Sequence, residues 1–559
     1  TVDAVDTTDG DDGTDAAIDP CADLDQPPTM RPVALPLGET LFFAGDDYLS
    51  FWSTGAPCEP ALASSPAAST AAFAGATESG DRRFTPDAPG VYLIDVGNSR
   101  LEVTVLAGGP TPDNFLNYNY TPESPLALVG ADTLLVASPT SNAVQKVTLT
   151  DTDPVVGALI PTGAWPTSLT VWGDFVLVAQ TGRDSIGFLD PALGRIVDAI
   201  QVGNEPTGMV VLGSDAFVSL AAEHRVVKVD LLARTVVGSA DVGREPRALA
   251  LDAAGGRLFV ASLISSNPHP HGQAEPTEVA PAAKDIAIVD LETMAVTFSP
   301  EVGTILRGIW LSADGLTLRV GASHSNNLGG DISADSHPHS HGLVTINVAG
   351  ETILPENVTS LDLDKNLGSA GPAASPMTMA LAPSSDQFLV TLSASNAVLA
   401  LDPNTLAEVG RLPVGNDPRG LVFAHGRAWT YAWLDDALVG FDLPVMKGQS
   451  APAVSVVIGN DPTPLEVRQG QRMFNDATFS KNKDFSCNNC HIDGLTDGLV
   501  WNLLVDGNVN TLAFRNVGGT GPFLWGGQLP TLFDFSREVL KLLGPDASGS
   551  EMEQHTTYK

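Results

Sequence analysis

Basic residues are scarce in this chain: 29 Lys and Arg stand against 66 Asp and Glu, a formal charge of −37. Such a surface repels phosphate backbones, and no basic stripe interrupts it, so nucleic acid is excluded as a partner. A basic protein partner would be steered toward it, while charge of this size also serves solubility alone. Long apolar runs are missing as well. No stretch of about 18 apolar residues occurs, so no segment reads as a membrane-spanning helix. Aromatics are few, at 6%, whereas Gly (54) and Pro (41) are plentiful. That balance favours many short strands and tight turns over helices. The sequence opens at Thr1 with neither Met nor a charged-then-apolar leader. The expectation is that a signal peptide has been removed, and a lipid anchor ahead of Thr1 is compatible with this.

Residues 1–28 begin as TVDAVDTTDGDDGTDAAIDP, acidic and nearly without large apolar side chains, and read as a linker. Residues 29–107 alternate apolar and polar in short bursts broken by Gly and Pro, the signal of a small antiparallel β-sandwich. Its stretch Phe84-Thr85-Pro86-Asp87-Ala88-Pro89-Gly90-Val91-Tyr92 resembles the strand-turn-strand signature of bacterial Ig-like surface domains. Residues 108–123 read as a second linker.

Residues 124–462 form a repeat. Its turns run Thr162-Gly163-Ala164-Trp165-Pro166, Val202-Gly203-Asn204-Glu205-Pro206, Val242-Gly243-Arg244-Glu245-Pro246, Val302-Gly303, Val414-Gly415-Asn416-Asp417-Pro418 and Ile458-Gly459-Asn460-Asp461-Pro462, with a divergent copy from Gly371 to Pro376. Four strands per roughly 40 residues is the unit of a propeller blade. First strands are expected near 124, 167, 207, 247, 308, 377 and 420, hence a seven-bladed β-propeller. The repeat resembles the YVTN-type surface-layer propellers. Such folds host many functions, so the resemblance implies architecture and not activity.

Two blades are oversized, by 265–284 in the fourth and by 323–342 in the fifth, each between second and third strands. Both inserts are rich in His: His269 and His271 in one, His324, His337, His339 and His341 in the other. With His224 in the short connection of the third blade, they are candidate ligands for copper or zinc, since imidazole suits both. Two solvated low-complexity loops are the alternative. In an antiparallel blade these connections share a face with the Val-Gly-x-x-Pro turns, and the chain leaves the repeat from that face.

Residues 463–559 contain Cys487-Asn488-Asn489-Cys490-His491, the C-x-x-C-H pattern of covalent haem attachment. Two thiols three positions apart reach the two vinyl groups on one porphyrin edge, and the adjoining His can coordinate the iron. A zinc site would need a second spaced pair and a redox dithiol a βαβ context, and neither is present. The expected cofactor is one covalent haem c, with Cys487 and Cys490 as attachment points and His491 as iron ligand. Met473, Met552 and His555 are further candidate ligands, and a His of the oversized blades or His224, with His269 and His339 the foremost, is an alternative candidate for the sixth position on the iron. Proteins of this c-type class acquire haem outside the cytoplasmic membrane, where a disulfide between Cys21 and Cys58 would persist. The chain is therefore expected in the periplasm or at the outer surface of a bacterium, with a redox protein as partner.

The flanks of the motif add a resemblance. Val467-Arg468-Gln469-Gly470-Gln471-Arg472-Met473-Phe474, Arg515-Asn516-Val517, Gly521-Pro522-Phe523-Leu524-Trp525-Gly526-Gly527 and Leu543-Gly544-Pro545 with Glu551-Met552 resemble elements of the bacterial di-haem cytochrome c peroxidases. That resemblance implies Trp525 as an electron conduit between haems and Glu551 as an acid–base residue over a peroxidatic iron. It also implies a second C-x-x-C-H, which does not occur here, and an active-site Gln where this sequence has Leu540 or Lys541. The expected class is thus mainly β: sandwich, propeller, then a small α-helical cytochrome domain. Electron transfer is the expected function. The alternatives are part of a di-haem peroxidase, with the chain a partial product, and a surface binding or adhesion protein.

Overall fold

The structure is a computed structural model. It describes residues 29–36, 41–43, 61–74, 82–84, 86–88, 90–96, 99–106, 121–264, 284–327, 337–350, 352–364, 371–383, 386–503, 507–515, 517, 520–524 and 526–543. Strands dominate, helices are few, and the chain divides into two compact units, 1–107 and 108–559. Among the described residues no helix is long and apolar enough to cross a membrane.

In the first unit, alternating residues build a four-stranded sheet, ordered Thr29–Pro36, Ser99–Leu106, Gly90–Val96, Ala61–Ser64, and a three-stranded sheet of Leu41–Phe43, Arg82–Phe84 and Phe73–Ala74. The two meet through Phe84, edge-on to Tyr92 at 5.4 Å between ring centres. The Tyr92 hydroxyl donates to the Ala88 carbonyl and accepts from the Ala88 N–H, at 2.9 and 3.0 Å. A buried phenol is thereby satisfied locally.

Among the described residues, the second unit carries seven successive four-stranded antiparallel meanders, over 126–161, 166–201, 206–241, 244–298, 305–362, 376–413 and 418–457. The fourth and fifth join through the single pair Ile264–Ile305. Within each meander the apolar runs lie in the second and third strands, buried on both faces: Phe388–Leu392 and Ala397–Leu401 have no exposed residue. Fourth strands such as Val155–Pro161 are largely exposed, as suits an outer edge. Each meander shares an apolar cluster with the next. The seventh shares one with the first, where Trp429, Tyr431 and Trp433 pack on Leu134, Val136 and Val147.

The turn chemistry repeats with the strands. Asp190, Asp230, Asp290 and Asp402 each accept backbone N–H groups two and three residues on, the Asx device of tight turns. At the turns between meanders the residue before Pro is left-handed: Trp165, Glu205, Glu245 and Asp417 have φ of 56°, 54°, 50° and 50°. Each is held there by a side chain of the preceding meander that accepts its N–H: Asn142, Asp184, His224 and Asn396 respectively. His224 therefore occupies a position filled elsewhere by Asn or Asp, with its Nδ1 at 3.2 Å from the Glu245 nitrogen and 3.1 Å from the Ala221 carbonyl.

Candidate haem-attachment site

After the seventh meander the chain enters helix α1 (Leu465–Asn475). Its apolar face puts Val467 and Phe474 inward against Phe514 and Cys487. Arg468 locks the helix to the seventh meander, with its guanidinium at 2.8 Å from Asp436 and 2.7 Å from Asp461. The segment then crosses to the sixth meander, where the Ala477 N–H donates to the Ala394 carbonyl. It reaches the motif as a short helix, α2 (Cys487–Cys490). Ser486 and Asn489 cap it reciprocally, and Asn488 accepts the Asp493 N–H at 2.8 Å. Both asparagines between the cysteines are buried, so these two positions are structural and not spacers.

Cys487, Cys490 and His491 line a cavity of about 420 Å³. Phe514, Phe523, Phe535 and Leu532 also line it, the last two on helix α3 (Leu532–Leu543). Neither cysteine is in a disulfide. The His491 ring stacks on Phe514 at 3.9 Å, and its Nδ1 lies 2.7 Å from the Leu512 carbonyl oxygen. A carbonyl can only accept, so Nδ1 carries the proton and Nε2 is the basic nitrogen. That arrangement is the one a metal-ligating imidazole adopts. Volume, apolar walls, paired thiols and tautomer all fit a covalently attached haem.

The second and third strands of the fifth meander, Thr317–Ser325 and His339–Asn347, form a hairpin that reaches this segment. Here the structure corrects the reading of 323–342 as a loop: His324, His339 and His341 lie in paired strands, with His324 opposite Ser340 and His339 opposite Ser325. The His339 Nε2 lies 3.3 Å from the Cys490 sulfur, and its ring lies 5.3 Å from that of Trp501. The His341 Nε2 is 2.5 Å from the Asp484 carbonyl, and the His337 Nδ1 is 2.5 Å from the Asp484 carboxylate. Burial pushes the His341 pKa down to about 4 and that of His339 well below the ordinary value. His324 is also lowered by burial. His339 and His341 are thus neutral, and they meet the motif segment at Cys490 and Asp484. Among the described residues, no group of three or more His, Cys, Asp or Glu is arranged to hold a metal ion.

Beyond His491 the chain turns back through Asp493, whose φ is 52°. Its carboxylate pairs with Arg247 and accepts from Thr121 Oγ1 at 3.1 Å. Burial raises the Asp493 carboxyl, but the charge and hydrogen bond of Arg247 outweigh it and hold it below the usual range. Nearby, burial raises Glu123 to about 7 and lowers Arg307 to about 10. Arg307 also donates to the Asn488 carbonyl at 3.3 Å. Arg247, Arg307 and Arg419 take corresponding places just after three inter-meander turns. Sequence reasoning missed this cluster, and the signal available was an Arg recurring at one repeat position. Met473 is buried in α1. Cys21, Cys58, His269, His271, Trp525, Glu551, Met552 and His555 lie outside the described residues.

Residues 464–557 match the family model for di-haem cytochrome c peroxidase. This C-terminal part is therefore similar to a haem family that couples electron transfer to peroxidase chemistry, and that family implies a haem cofactor. No curated protein matches the chain. Among solved structures, hydrazine synthase of Kuenenia stuttgartiensis is similar at 15% identity and a TM-score of 0.48, over 59% of this chain and 97% of that one. The computationally designed Ika8 protein is similar at 10% identity and a TM-score of 0.39, over 64% and 92% respectively.

Proposed function

We propose that the chain is an exported c-type cytochrome that passes electrons through one haem, which Cys487 and Cys490 would hold with His491 as iron ligand. The observation that carries this reading is the His491 ring, whose Nδ1–H is committed to the Leu512 carbonyl beside two cavity-lining thiols. When bound, haem supplies a one-electron couple. This chain's own residues orient the ligand nitrogen, exclude water through the Phe514, Phe523 and Phe535 wall, and anchor the motif through Asp484 and Asp493.

The seven meanders are best read as the blades of a closed propeller. Seven shared clusters, the last between the seventh and first meanders, support that reading. The first unit is read as an Ig-like sandwich with a Cys21–Cys58 disulfide, in the periplasm or at the cell surface. The net charge of −37 suits a basic redox protein as partner.

A second reading, part of a di-haem peroxidase-type enzyme, is favoured by the family match over 464–557. In it Trp525 would conduct electrons, Glu551 would move protons, and a second haem would come from outside these residues. Expression in a host that matures c-type cytochromes, followed by intact mass, haem staining and peroxide turnover, separates the readings. One covalent haem without turnover supports the cytochrome. Turnover supports the enzyme. A chain without covalent haem defeats both.

A further inference from the structure

Resting on the haem reading above, we infer that His339 is a positioning residue whose Nε2–H donates to the sulfur of Cys490 and holds that attachment arm in place. The geometry is built rather than incidental. His339 is fully buried, its Nε2 is 3.3 Å from the sulfur, and its Nδ1 is 3.3 Å from Ser325 Oγ across the hairpin. Trp501, itself a wall of the cavity, closes over the ring at 5.3 Å. The hairpin register that brings Ser325 opposite His339 thus delivers one imidazole to one sulfur.

The proton count fixes the direction of the bond. A neutral imidazole has a single N–H, and burial with the nearby Arg307 charge keeps His339 neutral. Once joined to a vinyl carbon, the Cys490 sulfur has no proton and can only accept. Nε2 must then carry the hydrogen, and Nδ1 accepts from the Ser325 hydroxyl. The opposite tautomer would set two lone pairs against each other in a buried site, leaving both unsatisfied. A donor aimed at the porphyrin edge stabilises the added electron, a recognised means of tuning haem and iron–sulfur centres. His337 and His341 meet the motif segment at Asp484, so they fix it away from the sulfur.

The test is a potentiometric titration of the haem-loaded full chain, with circular dichroism and thermal midpoint as folding controls. His339→Phe keeps the volume but loses the donor. It is expected to shift the reduction equilibrium toward the oxidised form by roughly 3- to 10-fold, at most about 59 mV for one electron. His339→Gln keeps an N–H and is expected to restore most of the wild-type potential. Ser325→Ala keeps the ring but frees its tautomer, and is expected to shift the potential in the same direction by less. A folded His339→Phe protein with wild-type potential overturns the inference, as does an equal fall in the Phe and Gln variants. If no variant and no wild-type chain carries haem, the haem reading fails first.

Discussion

Asp493 and Arg247, 246 residues apart in sequence, form an ion pair whose side chains are only 4% and 13% exposed. It fastens the turn after His491 to the fourth meander. Removing one partner of a buried pair strands the other charge and costs about 3–5 kcal/mol. Asp493→Ala and Arg247→Ala should each lower the thermal midpoint by several degrees, and the double variant should fall by less than their sum. Strict additivity of the two shifts would show that the pair is not coupled.

Cys487→Ala with Cys490→Ala should abolish covalent haem yet leave the far-ultraviolet spectrum of the meanders intact. Their apolar clusters lie between neighbouring meanders, and none includes either cysteine in its core. Mass spectrometry and circular dichroism on one preparation check both halves. Loss of strand signal would mean that the motif segment is required to assemble the repeat.

Burial pushes His341 down to about 4 in the folded chain from an ordinary 6.5. A depressed base stabilises the fold above its unfolded pKa, and that contribution drains as pH falls from 6.5 toward 4, by roughly 3 kcal/mol at most. Asp364, which accepts the His341 N–H and is raised to about 7 by burial, runs the other way: its contribution is present below its ordinary 3.8 and is lost as pH rises through 7. Thermal midpoints of wild type and His341→Gln should therefore converge between pH 6.5 and 4. A constant gap across that window would contradict the depressed pKa.

His224→Asn should be close to neutral, because Asn142 and Asn396 hold the same inter-meander position by the same N–H bond. His224→Ala should cost about 1 kcal/mol, the worth of one such bond. Neither change should alter the metal content of the purified protein. A drop in copper or zinc on His224→Asn would reinstate this residue as a ligand.

Arg468→Met removes a guanidinium shared by Asp436 and Asp461 while leaving an apolar stem of similar length. Helix α1 should then loosen from the seventh meander. Limited proteolysis should cut near residue 463 faster than in wild type, with the repeat fragment surviving. An unchanged digestion pattern would indicate that Val467 and Phe474 hold the helix without the arginine.

The repeat was readable because its turns carry chemistry: a left-handed residue, a Pro after it, and an Asn, Asp or His to catch the N–H. The C-x-x-C-H pattern was readable because it is a fixed local spacing, and its two thiols and His line one cavity. The fifth-meander hairpin was not. Ser, His and Gly between Ser323 and Gly342 show no apolar alternation, since the surface they meet is the motif segment and not a neighbouring meander. Strand pairing there is decided by a tertiary partner that local pattern cannot reveal. The buried roles of Asn488 and Asn489 were hidden for the same reason: nothing in Cys-x-x-Cys spacing says which intervening side chains will turn inward.

The cluster joining the first and seventh meanders has a consequence for synthesis. Leu134, Val136 and Val147 leave the ribosome almost 300 residues before Trp429 and Trp433, the aromatics that cover them. Until then one flank of the first meander has no partner, an exposed apolar edge of the kind that invites misassembly. Folding of this unit should complete late, when the seventh meander arrives, and only then does the chain extend into the segment that carries the cysteines. The order along the chain thus puts the seam ahead of the site.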